Sequence, residues 1–191
     1  DSLRRVHWPS SARHDDLMVR QDELPWQGRV TVMLDINQLA YGSNAESFER
    51  AVSAAASIIA AAIARGDHAR LVTTAGHDYG MATNRGELDR HLESLALLEQ
   101  TTSTSFEHLG EVLRGGLDGA LAILTAGTGS NLDPGGRLRA RFGSVTTVVF
   151  PGPNGTLPSV ASPDVIPVPP GTPFDQVWAQ GRRGSRRGAR I

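Results

Sequence analysis

The sequence contains no cysteine and no lysine, so all 19 basic residues are arginine. The first absence excludes disulfide staples, a thiolate zinc site and a cysteine nucleophile. The second excludes a Walker-type phosphate loop, which needs a lysine at the phosphates. Aromatics are scarce at 5%, so the core of this 191-residue chain must be aliphatic. No apolar run approaches the roughly 20 residues that cross a bilayer, and the chain as it stands reads as soluble. Against these absences stand 39% hydrophobic and 20% charged residues. That balance excludes collagen, a coiled coil and wholesale disorder, and the length fits one domain with or without a tail.

The formal net charge of −1 is unevenly spread. Arg182, Arg183, Arg186, Arg187 and Arg190 crowd residues 181–191, and without these five the body carries −6. An acidic body disfavours bulk nucleic-acid binding, so no specific nucleic-acid partner is expected. The Gly/Arg/Ser tail is low in complexity and is expected to be disordered. Three roles stay open for it. Arg182, Arg183, Arg186 and Arg187 could touch anionic lipid headgroups, at about 1 kcal/mol per residue. The tail could instead bind RNA without specificity, or be a solvated end with no role. The chain opens at Asp1 with neither Met nor a signal peptide, as a fragment of a longer protein would.

Hydrophobic patterning divides the body into alternating elements. Residues 29–35 form a strand apolar on both faces that ends in a carboxylate. Ser43 with Glu46 reads as a capping box for an alanine-rich helix over about 45–65, apolar nearly all round and therefore expected to be sandwiched. Gly66 is its natural end. A strand over about 69–75 precedes a helix carrying Leu88, Leu92, Leu95 and Leu98. The hydroxyls of 101–105 cap a further helix over about 105–114, with Phe106, Leu109, Val112 and Leu113 inward. Strands over 119–125 and 145–150 follow, separated by a short helix begun at Asp133 and Pro134. An edge strand at 164–168 and a helix started by Thr172 and Pro173, with Phe174, Val177 and Trp178, complete the body. The alternation predicts a mainly parallel sheet with helices on both faces. Three parts result: a turn and edge or hairpin segment over 1–28, an α/β domain over 29–180, and the tail over 181–191.

In open α/β sheets ligands bind beyond the carboxyl ends of the strands. The loops after Asp35, around Thr104 and after Thr125 therefore matter most. An aspartate, a hydroxyl and a third loop could converge there on a hard cation such as Mg²⁺. Other signals carry bland readings. Ser10, Ser11, His7, His14, Asp15 and Asp16 hold the residue types of a serine hydrolase, but no nucleophile elbow occurs in the chain. The glycines from Gly127 to Gly136 match no phosphate loop. The six histidines show no metal-site spacing, and His91 and His108 read as surface or partly buried helix positions. Arg65, Gly66 and Asp67 copy an integrin tripeptide at a helix end, where the glycine is simply a cap. Asn154, Gly155 and Thr156 have the form of a glycosylation sequon but read as a turn between prolines. Arg4, Arg5, Arg13 and Arg20 either pair with acids on the sheet or form a partner surface.

The opening block (Leu3, Arg4, Arg5, Val6, His7, Trp8, Pro9, Ser10, Ser11, Ala12, Arg13, then Leu17, Met18, Val19 and Arg20) resembles the hallmark of a bacterial family. This is the domain-of-unknown-function family fifty-eight, often encoded beside MoxR-type AAA+ ATPases. The strand ending in Asp35 and the alanine-rich helix continue the likeness, which covers about residues 1–150. The resemblance implies a von Willebrand A-like, Rossmann-like three-layer α/β/α sandwich with a mainly parallel central sheet. It also implies upstream transmembrane segments that would hold the domain at the cytoplasmic face of the membrane.

In von Willebrand A domains a metal-ion-dependent adhesion site uses an Asp-x-Ser-x-Ser run, a Thr and a later Asp. Carried over, Asp35 matches the first Asp, Asn37 replaces the first Ser and Leu39 the second. Thr104 supplies the Thr, and Ala126 stands where the last Asp belongs. A degenerate site of Asp35, Asn37 and Thr104 would hold Mg²⁺ or Mn²⁺ weakly, and no cofactor is expected. The bland alternative makes Asp35 the cap of a neighbouring helix or turn. The function expected from the resemblance is a non-enzymatic adaptor or assembly factor that works with a MoxR-type ATPase on an unidentified client. Its interaction surface would comprise Asp35, Asn37, Gln38, Thr104, Ser105, Thr128 and Ser130. A membrane-attached scaffold and a hydrolase are the alternatives.

Overall fold

The computed structural model describes residues 28–102, 119–126, 138, 141–157, 162 and 164–180. Six strands form one sheet: β1 (Arg29–Leu34), β2 (His68–Thr73), β3 (Asp78–Ala82), β4 (Ala120–Thr125), β5 (Ser144–Val149) and β6 (Val165–Pro167). Their order is β3-β2-β1-β4-β5-β6, and every pairing is parallel except that of β2 with β3. The described helices are α1 (Gln38–Tyr41), α2 (Ala45–Ala64), α3 (Arg85–Ala96) and α4 over 174–180.

Central strands explain why the apolar runs are continuous. Val32 and Leu34 of β1 join the core beneath α2, α3 and α4, while Met33 joins a second cluster on the opposite face. That second cluster includes Val72, Leu121, Ile123, Leu138, Phe142 and Val145. Both faces of the sheet are therefore buried, as a parallel sheet requires. The anticipated edge strand is β6, and Phe174, Val177 and Trp178 of α4 pack on the core as expected. The opening 27 residues, the helix read at 105–114, the helix begun at Asp133 and the Arg tail lie outside the described residues.

Several expectations need correction. The cap of α2 is Asn44, whose Oδ1 accepts from the Ser47 N–H at 3.2 Å, and not Ser43. Asn44 is the residue adjacent to the first helical turn, and asparagine caps as well as serine. The helix is not sandwiched either. Phe48, Ala51, Ala54, Ala55, Ile58, Ile59 and Ala62 face the core, while Ser53, Ser57, Ala61 and Ala64 face outward. Its alanines let the helix lie close to the sheet. By length and composition alone this 20-residue helix could also cross a membrane, contrary to the reading that no run approaches that length. Its C-terminal end is as expected, with Gly66 at φ +80 and the Arg65 Nε bonded to Asp67 Oδ2 at 2.9 Å.

A further correction is β3, which the sequence pattern did not reveal. After β2 the chain reverses through Gly76, with the Thr73 N–H donating to the His77 carbonyl at 2.9 Å. β3 is short, broken by Gly80 at φ +79, and its register with β2 shifts between Arg70 and Val72. No period-2 alternation survives such a break. Arg70, 7% exposed, fixes the edge by donating from both Nε and Nη2 to the Asp78 carboxylate. The Arg70 bond holds that carboxyl below its ordinary range. His91 of α3, read as a surface or partly buried position, is buried. Its ring nitrogens face the Glu87 carbonyl at 2.8 Å and the Gly80 carbonyl at 3.2 Å, which pins α3 to β3.

A glycine is required where β4 begins. Gly119 has φ +104, and a Cβ there would collide with the Arg29 carbonyl of β1. Gly66 also has positive φ, but nothing lies within 4 Å of its Cβ position. Gly119→Ala is therefore expected to cost about 2–4 kcal/mol, combining backbone strain with overpacking. Gly66→Ala should cost only about 1–2 kcal/mol, from strain alone. Urea denaturation of the two variants checks the difference, and equal costs would contradict it.

Candidate functional site

With this strand order the sheet reverses its winding between β1 and β4, and the crevice beyond their carboxyl ends is where such sheets bind ligands. Asp35 follows β1 and Thr125 ends β4, so both stand at that point. They are joined directly: Thr125 Oγ1 donates to Asp35 Oδ2 at 2.7 Å. Thr74, just past β2, donates from Oγ1 to Asp35 Oδ1 at 3.0 Å, and the Asn37 N–H donates to the same oxygen at 3.0 Å. Thr74 Oγ1 also accepts from the Ile36 N–H at 3.0 Å. The main chain repeats the tie, with the Asp35 N–H on the Leu124 carbonyl at 2.8 Å and Tyr41 Oη donating to the Asp35 carbonyl at 3.0 Å. One carboxylate thus gathers the ends of β1, β2 and β4 and the start of α1.

Asp35 is only 1% exposed. Burial pushes its pKa above the ordinary value of 3.8, opposed by the hydrogen bonds from Thr125, Asn37 and Thr74. Burial also pushes the Tyr41 phenol well above its usual range, and the neighbouring Asp35 charge adds to the effect. Asn37 serves the backbone: its Oδ1 accepts from the Leu39 N–H at 2.9 Å and caps α1. An isolated parallel bridge pairs Asn37 with Thr101. In it the Gln38 N–H donates to the Thr101 carbonyl and the Thr101 N–H to the Ile36 carbonyl, both at 2.9 Å.

Of the expected site residues, the structure brings Asp35 and Asn37 together and leaves Gln38 exposed beside them. Asp35 is not part of an accessible interaction surface, because the hydroxyls and α1 bury it. Thr104, Ser105, Thr128 and Ser130 lie outside the described residues, as do Arg182, Arg183, Arg186 and Arg187. Sequence reasoning missed Thr74, Thr125 and Tyr41 as partners of Asp35. The signal was three buried runs, each ended by a polar residue: a carboxylate flanked by two hydroxyls.

A Mg²⁺ or Mn²⁺ ion needs several hard oxygen donors with free lone pairs around one point. The described residues do not fit that demand. Both Asp35 oxygens already accept hydrogen bonds, Asn37 Oδ1 is committed to α1, Leu39 points outward, and Ala126 is buried without a donor. Among the described residues no three His, Cys, Asp or Glu side chains form a metal set.

Among the described residues, the surface near this closed point is mixed, and two leucines stand exposed in it. Leu39 of α1 is 74% exposed and Leu97, just past α3, is 82% exposed. A groove of about 710 Å³ runs beside Leu97, lined by Ile36, Ala75, Tyr79, Leu98 and Gln100 among others.

A family model described as "Protein of unknown function DUF58" matches residues 1–105, more than half of the 191-residue chain. The chain belongs to the DUF58 family. In this DUF58 chain the matched stretch contains Asp35, Asn37, Thr74 and both exposed leucines, whereas Thr125 on β4 lies beyond it. No curated protein matches the chain.

The Asp35 cluster sets two expectations. Because the folded-state pKa of Asp35 is raised above 3.8, this group favours folding most below that pH. Its contribution then declines as the pH climbs through the folded-state value. Asp35→Asn keeps an acceptor for Thr74 and the Asn37 N–H, offers an amide donor to Thr125 Oγ1, and removes the buried charge. Its melting temperature at neutral pH should equal or exceed that of the wild type, with a flatter acid limb. Asp35→Ala leaves three donors without an acceptor and should cost about 2–4 kcal/mol. Thermal melts across the acid range check the pair, and an equal loss in both variants would contradict the charge argument. Millimolar Mg²⁺ or Mn²⁺ should leave the wild-type melting temperature unchanged; an upward shift lost in Asp35→Ala would show that the carboxylate does ligate.

Proposed function

We propose that this DUF58 chain is a non-enzymatic docking domain of the von Willebrand A-like kind, an adaptor or assembly factor for a MoxR-type AAA+ ATPase. Support for the fold assignment comes from the strand order, the antiparallel edge strand β3, and an aspartate closing β1. The ATPase and the location at the cytoplasmic face of the membrane rest on the family resemblance. Fold and family membership alone do not assign an activity.

The observation that carries the docking reading is the chemistry of the carboxyl-end surface. At the point where such sheets bind ligands, the Asp35 carboxylate is sealed and spent on hydroxyls, while Leu39 and Leu97 are largely exposed. Large exposed apolar side chains beside a groove are what a protein partner buries. A degenerate adhesion site fits the same picture: the position of the metal has become a structural knot, and recognition passes to the rim. Asn37 and Gln38 contribute polar rim groups, with Leu39 between α1 and the partner.

The test uses the full-length protein in its native cells and a MoxR-type ATPase made by those cells. Crosslinking should join the two. Leu39→Asp combined with Leu97→Asp should weaken binding by at least about tenfold, about 1.4 kcal/mol, and leave the melting temperature unchanged. Absence of the ATPase from wild-type crosslinks would sink the adaptor reading, and unchanged binding by the double variant would sink the proposed surface.

A further inference from the structure

Of the five asparagines in the chain, four lie among the described residues. Three of those use the side chain as a helix cap: Asn37 on the Leu39 N–H, Asn44 on the Ser47 N–H and Asn84 on the Glu87 N–H. Each is followed by a residue with a side chain, namely Gln38, Ala45 and Arg85. Asn154 differs on every count. It is exposed in the turn after β5, its side chain bonds to no described residue, and Gly155 follows it. Gly155 has φ +71, and no atom lies within 4 Å of the place a Cβ would take.

We propose that Asn154 is a site of spontaneous deamidation, which converts the neutral turn into aspartate and isoaspartate. The backbone nitrogen of Gly155 gives its proton to solvent base and attacks Asn154 Cγ. A new N–Cγ bond closes a cyclic succinimide, the bond from Cγ to the amide nitrogen breaks, and ammonia leaves carrying a solvent proton. Water then opens the ring. Cleavage of the new N–Cγ bond gives aspartate; cleavage of the original peptide bond gives isoaspartate. The net change is water consumed and ammonia released, with no redox partner.

Glycine decides the rate, because a side chain at the next position blocks the approach of its nitrogen to Cγ. Two main-chain bonds hold the turn: Gly155 N–H to the Gly152 carbonyl at 2.9 Å and Gly152 N–H to the Thr156 carbonyl at 3.0 Å. Hydrogen bonds in an exposed turn open at small cost, so the nitrogen is repeatedly freed. At the three caps, attack must break a bond that holds a helix start. The product does not stay local. Pro153 packs so closely on Gly42 that a Cβ at Gly42 would come within 2.6 Å of Pro153 Cβ, and Asn44 Nδ2 donates to the Gly152 carbonyl at 3.3 Å. Isoaspartate lengthens the main chain at this contact, and either product adds a negative charge beside α1. An effect on partner binding would rest on the docking reading above, but the chemistry does not.

Native full-length protein held at mildly alkaline pH, followed by peptide mass spectrometry, tests the proposal. Conversion at Asn154 should exceed that at Asn37, Asn44 and Asn84 by at least about tenfold, with both acid products and matching ammonia release. Asn154→Gln should abolish the signal, and Gly155→Ala should slow it by at least about tenfold. The proposal falls if Asn154 keeps its amide as long as the capping asparagines do. It also falls if conversion occurs only in urea, or if Gly155→Ala reacts at the wild-type rate.

Discussion

The carboxylate of Asp35 is the constraint on which the carboxyl end of the sheet depends. Its two oxygens hold Thr74, Thr125 and the Asn37 N–H, so the ends of β2, β4 and β1 are tied through one buried group. A charge sealed from water is costly, and only a full set of donors makes it tolerable. Here every donor comes from a different strand end or loop, so satisfying the charge also sets the spacing of those ends. The direction in which α1 leaves the sheet follows from the same group, through the Asn37 N–H and Tyr41 Oη.

That arrangement also limits the chemistry of the site. The switch point of a doubly wound sheet is normally the open crevice of the fold. In this chain the crevice is bridged by the bond of Thr125 to Asp35, which removes the acidic oxygens from solvent. Among the described residues, what remains accessible near it mixes exposed leucines with polar groups and Glu99. The docking role proposed above rests on that rim.

The parallel strands, the alanine-rich helix and the carboxylate ending β1 were all legible in the residues. Buried parallel strands demand unbroken apolar runs, and a helix lying close on a sheet demands small side chains, so both leave local patterns. β3 left none, because its glycine and bulge erase the alternation and its existence depends on pairing with β2. The cap of α2 was misplaced by one residue, since Ser43 and Asn44 are both good caps and only the path of the loop chooses between them. For His91 the surface and partly buried readings stayed open, because its burial depends on the Gly80 carbonyl on an unrecognised strand.

By itself, then, the sequence determined the α/β class and the order of the parallel strands, because periodicity and strand ends are local properties. It also carried the family, through the opening block and the strand that follows. Tertiary structure alone decided what Asp35 does. Thr74 is 39 residues away and Thr125 is 90 residues away along the chain, and nothing in their own neighbourhoods says that they meet. Whether a carboxylate is a ligand or a knot depends on which groups occupy its lone pairs, and those groups arrive only when the strands align.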